Sequence, residues 1–409
     1  MISRRTLLGA VAASGLIAPR APAAAMARPW SDVERCGRGQ TVFFNAWDGD
    51  GRTNALIAWA NERMRMLHDV TVRHVRLSDT ADAVRRVSAE KAAGRASDGS
   101  VDMIWLNGPN FLTMKRQGLL LGPVLDRLPN AGLINRAGKP ETLVDFTEPT
   151  DGLGVPWRMA QVVFVHDTAR LAAPPRTVAA MLGWAATHPG RLTHPRAADL
   201  MDATFLMQAL IELAPDPAIL RREASAAGYA AATAPLWAWY DALRPHLWHG
   251  GADFPASGPA QAALLAAAEI DLFISSNPTE AATGIARGAL PPSVRAYVLD
   301  GGTLTSCSFV AIPFNAGHAD AALLLADFLL SPEAQAQAAN PDHLGAPSVL
   351  AVDRLPPADR ARFDALPHPP GLLTAAELGH TLPEPHASWM TPVAAEWERR
   401  VTRQARSRR

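Results

Sequence analysis

The chain has 409 residues with 39 basic and 39 acidic side chains, a formal net charge of zero. That balance excludes the basic footprint of a nucleic-acid binder, and 48% apolar residues is the composition of an ordinary globular protein. The length suggests two domains.

The first residues read as an export signal. Arg4 and Arg5 give a charged start, residues 6–17 are an apolar stretch, and Pro19 leads into a small-residue run, 21–27. This is the order of a removable signal, with cleavage after Ala25 or Ala27. The apolar run is shorter than the about 20 residues of a membrane span. Ser3-Arg4-Arg5-Thr6-Leu7-Leu8 and the late Arg20 resemble a twin-arginine signal; an ordinary secretory signal is the alternative. No later segment reads as a span, and Val33-Glu34-Arg35 before Cys36 lacks the approach of a lipoprotein site. The mature chain is therefore expected to be soluble and unanchored. Cys36 and Cys307 are the only cysteines, and whether they pair is open.

Strand and helix patterns then alternate, as in α/β domains. Residues 41–46 form a short apolar run entering the loop Asp48-Gly49-Asp50-Gly51, with a helix predicted over 53–66. Residues 70–77 alternate as a strand. Ser78-Asp79-Thr80 supplies capping side chains, and Ala81, Val84 and Val87 start a helical stripe. Residues 101–106 read as a buried strand ended by Asn107-Gly108-Pro109-Asn110. From Asp151 a flexible approach leads into an extended segment, 157–166. A strand near 191–193, a helix over 202–213, an aromatic helix near 236–243 and a strand over 270–274 follow. Asn277-Pro278 reads as an N-cap with proline at the first helical position. Residues 303–313 form a second extended segment, and Ala322, Leu325, Ala326, Leu329 and Leu330 have the spacing of one buried helix face. Residues 358–403 read as short helices between prolines. Two extended crossings between α/β lobes imply a hinge and a cleft.

Several segments resemble the YnjB-like family of ABC-transporter solute-binding proteins: residues 42–48 (VFFNAWD), 77–80 (LSDT), 90–94 (EKAAG), 100–108 (SVDMIWLNG), 156–161 (PWRMAQ), 309–315 (FVAIPFN), 330–335 (LSPEAQ) and Glu384-Pro385-His386. The resemblance runs along nearly the whole mature chain. It implies a bilobal type II periplasmic-binding-protein fold, near the thiamine, iron and polyamine binders. It also implies a periplasmic location, a small polar ligand and the membrane permease of an ABC importer as partner. Thiamine or a related compound is the ligand suggested by relatedness. The expected division is lobe 1 from 28–156 with 313–357, and lobe 2 from 157–312 with 358–409. No cofactor is expected, and a monomer is the default.

Ligands of such proteins touch loops from both lobes, which selects the candidate binding residues. Asn45, Trp47 and Asp48 follow the first strand: an indole face holds a cation or a flat ring, and Asp48 balances positive charge. A plain turn is the alternative. Asn107 and Asn110 follow the third strand, offering amides or helix caps. Trp157 and Gln161 sit at the first crossing, where hinge packing competes with ligand contact. Ser276, Asn277 and Glu280 lie at a helix N-terminus, suited to an anionic group or to capping alone. Thr204 and Asp202 open another helix with the same ambiguity. A calcium loop starting at Asp48 fails, because Thr53 and Trp59 stand where the EF-hand needs Gly and Glu. No metal is expected at His166, His194, His246 or His386. Trp237, Trp239 and Trp248 read as packing residues. A secreted hydrolase is the competing class; the nucleophile-elbow, zinc-protease and P-loop motifs are missing from the sequence, while a dispersed triad stays open. A sensor that keeps the same fold is the third reading.

Overall fold

A computed structural model of the chain describes residues 22–196 and 203–407. Most of the expected export signal, and Asp202, lie outside the described residues. Two sheets organise the rest. In the large one, β1 (Thr41–Trp47) runs parallel to β2 (Thr71–Leu77) on one side and β3 (Met103–Leu106) on the other. These are the three strands expected from the first half of the sequence. Each is followed by a helix: Gly51–His68, Ala81–Ala92 and Pro109–Arg116. The first starts where it does because Asp50 caps it, accepting from the Arg52 N–H at 3.0 Å and from Thr53 Oγ1 at 3.0 Å.

A two-residue hairpin, β4 (Val144–Asp145) with β5 (Glu148–Pro149), follows the third unit. The first predicted extended segment is two strands. β6 (Val155–Gln161) belongs to the large sheet and β7 (Val163–Asp167) to the small one, with Val162 between them. The small sheet places β7 between β8 (Leu272–Ser275) and β9 (Val294–Tyr297), antiparallel to both, with Leu192 bridging to Leu272. The chain returns on β10 (Thr303–Ala311), which pairs antiparallel with β6 from Thr305↔Gln161 to Val310↔Val155. Its other edge carries β3, antiparallel, and β11 (Thr381–Pro383), parallel. Because β6 and β10 lie side by side, both passages between the sheets occur at one place.

Each sheet has its own core. Phe44, Met103, Trp105, Trp157 and Phe309 pack with the almost wholly buried helix Ala319–Leu329. Phe164, Met181, Leu206, Trp237, Trp239 and Tyr240 form the second core. The expected short C-terminal helices end in an 18-residue one, Met390–Ser407. Its residues Val393 and Trp397, with Trp389 just before it, recur every fourth position and pack on the second core. Trp397 Nε1 donates to Tyr240 Oη at 2.6 Å. Phe363, in the helix Pro357–Asp364, packs instead against the first core. The expected cap at Asn277 is displaced. The helix runs Glu280–Ala286 with Thr279 at its N-cap, and Asn277 Oδ1 accepts from the Thr279 N–H at 3.0 Å, closing a turn one step earlier. No disulfide joins Cys36 to Cys307, which is buried in β10. Among the described residues, no helix is long and apolar enough to cross a membrane.

Trp157 is 1% exposed and stands edge-on to Trp105, with ring centroids 5.4 Å apart, and to Phe44 at 6.5 Å. Replacing it with alanine opens a large cavity in the first core. Trp157→Ala is expected to lower the unfolding free energy by ~3–5 kcal/mol, read from urea denaturation of the full chain.

Candidate functional site

The two sheets meet over a cavity of about 140 Å³. From the large-sheet side it is lined by Trp47, Asp50, Arg52, Trp105, Arg158 and Ser308. From the small-sheet side come Thr204, Phe205, Gln261, Ile274, Ser275, Ser276, Asn277 and Glu280. Trp47, Ile274 and Ser275 come from the carboxyl ends of strands and Arg52, Thr204 and Phe205 from first helical turns, where α/β sheets gather ligands, while Arg158 and Ser308 rise from the middle of β6 and β10. Trp47 ends β1, and its indole lies over Gly49: a Cβ there would stand 1.8 Å from Trp47 Cζ2. The glycine is required by the close approach of the ring that forms the cavity wall.

A charged bridge closes one side of the cavity. Arg52 Nη2 donates to Glu280 Oε2 at 3.2 Å, joining the first helix of one lobe to a helix of the other. Arg52 Nε holds Asp50 at 3.2 Å, and Ser275 Oγ donates to Glu280 Oε2 at 3.3 Å. Burial opposes ionisation of Asp50, but Arg52 and Arg158 outweigh it and keep the carboxyl below its usual range. Asn277 Nδ2 donates to the Leu344 carbonyl at 3.1 Å, and Thr279 Oγ1 to the Gly345 carbonyl at 2.8 Å, so the same loop grips the other lobe. A Cβ on Gly345, at φ +69°, would stand 2.1 Å from Thr279 Oγ1.

Arg158 is the second cation. Its guanidinium carbon stands 4.4 Å from the centroid of Trp105 and 5.2 Å from that of Trp157. Nε donates to Ser308 Oγ at 3.4 Å and Nη1 to Thr53 Oγ1 at 3.3 Å. Burial pushes its pKa down to about 10, with nearby Asp50 working in the opposite direction. It therefore stays protonated at neutral pH.

A second cavity of about 40 Å³ adjoins the first, sharing Ala160, Thr204, Ser276 and Ser308. Asn107, Gln161 and Glu384 line it. Behind it Asp145, 1% exposed, accepts from Asn107 Nδ2 at 2.9 Å and from the Gly108 N–H at 2.6 Å. Gly108 holds φ +57°, which lets the turn after β3 present that N–H. Burial nevertheless raises Asp145 to about 7 and lifts Glu384 well above the usual carboxylate range, with each carboxyl held off the charged form by its acidic neighbours as well.

The expected site residues divide accordingly. Trp47, Thr204, Ser276, Asn277 and Glu280 line the main cavity. Asn107 and Gln161 line the smaller one; Asn107 Nδ2 also donates to the Cys307 carbonyl at 2.6 Å, and Gln161 Nε2 to the Leu378 carbonyl at 2.9 Å. Four are elsewhere. Asn45 is fully buried in β1 and donates to the Phe43 carbonyl at 3.1 Å. Asp48 turns outward to Arg76 at 3.1 Å and Asn54 at 2.6 Å. Asn110 is buried in the helix after β3, and Trp157 is core. The structure puts Asp50 in the place expected for Asp48, and Arg158 and Trp105 in the place expected for Trp157. Asp50 carries the carboxylate because the helix N-terminus it caps points into the cavity, whereas Asp48 continues the strand past it.

Residues 56–362 match the model of the bacterial extracellular solute-binding protein family. The chain belongs to that family. It is 39% identical over 372 residues to protein YnjB of Escherichia coli (strain K12), covering 91% of this chain and 93% of that one. Among solved structures it is similar to iron-bound HitA from Pseudomonas aeruginosa, with 14% identity, TM-score 0.62, and 88% of this chain and 99% of that one covered. It is also similar to the periplasmic binding protein AfuA from Actinobacillus pleuropneumoniae, solved with fructose-6-phosphate, with 16% identity, TM-score 0.60, and 88% and 99% covered. These likenesses show the bilobal type II periplasmic-binding-protein fold, and the family and its neighbours are transport-associated binding proteins.

In this solute-binding protein the buried acids under the smaller cavity make a pH prediction. A carboxyl with a raised folded-state pKa binds its proton more tightly folded than unfolded. Its stabilisation is complete below the unfolded value and drains away as pH rises through the folded one. Glu384→Gln keeps a neutral acceptor for the Phe146 N–H. Its stability relative to wild type is expected to climb as pH rises above the ordinary glutamate value of about 4.3, measured by urea denaturation at each pH; a pH-independent difference would contradict the assignment.

Proposed function

We propose that this protein captures a small polar solute in the cavity between its lobes and delivers it to the membrane permease of an ABC importer. The observation that carries the reading is the cavity itself: it is lined from both lobes and bridged by Arg52 and Glu280 across the gap. The lobe built on the large sheet and the lobe built on the small one move relative to each other about β6 and β10, opening the cavity to admit solute. The protein works as a monomer in the periplasm, exported by a signal of twin-arginine type cleaved near Ala25 or Ala27. It binds and releases its solute unchanged. A hydrolase would instead convert the bound compound, and turnover is the outcome that favours that class.

A thiamine-related ligand is supported by the indole of Trp47 on the cavity wall, which suits a cationic heteroaromatic ring. A phosphorylated member of that group would also bring an anion.

The test is a thermal-shift series with the full chain against thiamine, thiamine monophosphate, sugar phosphates, amino acids and polyamines. A solute that binds only the folded state raises stability by about 2.7 kcal/mol at one hundred times its Kd. Trp47→Ala is expected to weaken the stabilising solute by ~0.5–2 kcal/mol, measured by titration calorimetry. Glu280→Gln is expected to weaken it as well, because it removes a contact made only when the lobes are together. Unchanged affinity in both variants would contradict the cavity as the site.

A further inference from the structure

The acids of the main cavity already have partners, and one of its cations does not. Asp50 and Glu280 share Arg52, and each takes a hydroxyl besides: Thr53 Oγ1 on Asp50 and Ser275 Oγ on Glu280. Arg158 is half-buried on the cavity wall, and among the described residues no carboxylate stands within salt-bridge distance of it. A guanidinium has five N–H donors in a planar fork. Two of them reach neutral hydroxyls at long distances, Ser308 at 3.4 Å and Thr53 at 3.3 Å. Trp105 and Trp157 flank the group and fix its plane. Among the described residues, the remaining donors of the fork have no protein acceptor. Isolating a charge in this way is costly unless a counter-charge arrives.

Two further features agree. The first turns of the helices Gly51–His68 and Gly258–Ala266 line the cavity, through Arg52 and through Gly258 and Pro259. Helix N-termini carry partial positive charge. Gln261, fully buried on the opposite wall, donates Nε2 to the Ile274 carbonyl at 3.1 Å, and among the described residues its Oε1 has no hydrogen-bond partner. A buried acceptor left in that state asks for a donor.

We propose that Arg158 anchors an anionic oxygen group of the captured solute, a carboxylate or a phosphate, and that Gln261 Oε1 accepts from a hydroxyl or amine on the same molecule. The solute class is thus a small organic anion that also carries a hydrogen-bond donor. The inference rests on the cavity being the capture site. Paired N–H donors meeting two anionic oxygens give both strength and orientation, and a lysine at the same place supplies charge without the fork.

The test uses the full chain as wild type, Arg158→Lys and Arg158→Gln. The probes are sodium phosphate and sodium acetate against sodium chloride at matched ionic strength, with fructose as a neutral and spermidine as a cationic control. Melting temperature and tryptophan fluorescence are read across millimolar concentrations. Phosphate or acetate is expected to stabilise the wild type, and whichever does so identifies the anion. Its Kd is expected to rise ~10–100-fold in Arg158→Gln and several-fold in Arg158→Lys, which keeps the charge and carries the comparison if the glutamine variant does not fold. The proposal is overturned if neither anion stabilises the wild type beyond chloride, or if a folded variant binds the anion as tightly as the wild type. If fructose or spermidine stabilises all three proteins while the anions do not, the Arg158 anchor falls and solute capture stands. If none of the four probes stabilises the wild type, the Arg158 anchor falls; solute capture falls with it only if the thiamine, sugar-phosphate, amino-acid and polyamine series also leaves the melting temperature unchanged.

Discussion

Two strands, β6 and β10, lie antiparallel in the large sheet, and the chain passes between the two sheets where β6 ends and where β10 begins. Their pairing runs from Val310↔Val155 to Thr305↔Gln161. It lies beside both passages between the sheets, while the two main cores pack apart. A pair of adjacent strands resists shear through its ladder but bends more easily at the residues just beyond it, such as Val162. The rest of the arrangement is a consequence. Groups on β6 and β10 sit at the floor of the gap, and the loops at the strand ends of both sheets become its walls. The chain belongs to the bacterial extracellular solute-binding family, and on the proposed function the solute sits in this cavity.

The charges in the gap do different work. Arg52 spans it, so closing the lobes creates an ion pair between groups that would otherwise face water. In a confined cavity such a pair gains more than at an open surface, while its desolvation takes back part of the gain. The pair therefore favours closure only moderately, which suits a protein that must open again to release its cargo. Arg158 stays on the floor in either arrangement because its contacts, Trp105, Trp157, Ser308 and Thr53, all belong to the large-sheet lobe. The bridge depends on both lobes, while the floor cation is held in place by one. Asp145, behind the smaller cavity, and Glu384, on its wall, are both held toward the protonated form by burial, which lowers the negative charge on that side of the floor.

Much of the fold was legible in the sequence, because the signals were periodic. The first three β-loop-α units, the buried face of Ala319–Leu329 and the packing role of Trp237 and Trp239 follow from apolar spacing alone. The C-terminal helix was read too short, since its stripe of Trp389, Val393 and Trp397 is sparse among charged residues. The site was half legible. Loops at strand ends pointed to Trp47, Thr204, Ser276, Asn277 and Glu280. Which residue of a loop faces inward depends on backbone direction, and a two-residue offset exchanges Asp48 for Asp50. Strand alternation decides the case of Trp157 and Arg158. The larger aromatic was taken as the binding group, yet it points into the core and leaves its neighbour at the cavity. An arginine inside the apolar run of β6 was the signal that would have found it.

The central claim is that the lobes close over a solute. Spin labels at the exposed Met66 and Ile219, one on each lobe, in a Cys36→Ser background, give an interlobe distance by pulsed electron resonance. With the stabilising solute at saturation, the account predicts a single narrow distance, shorter than the broad distribution found without it. The same distribution with and without solute would contradict capture by closure.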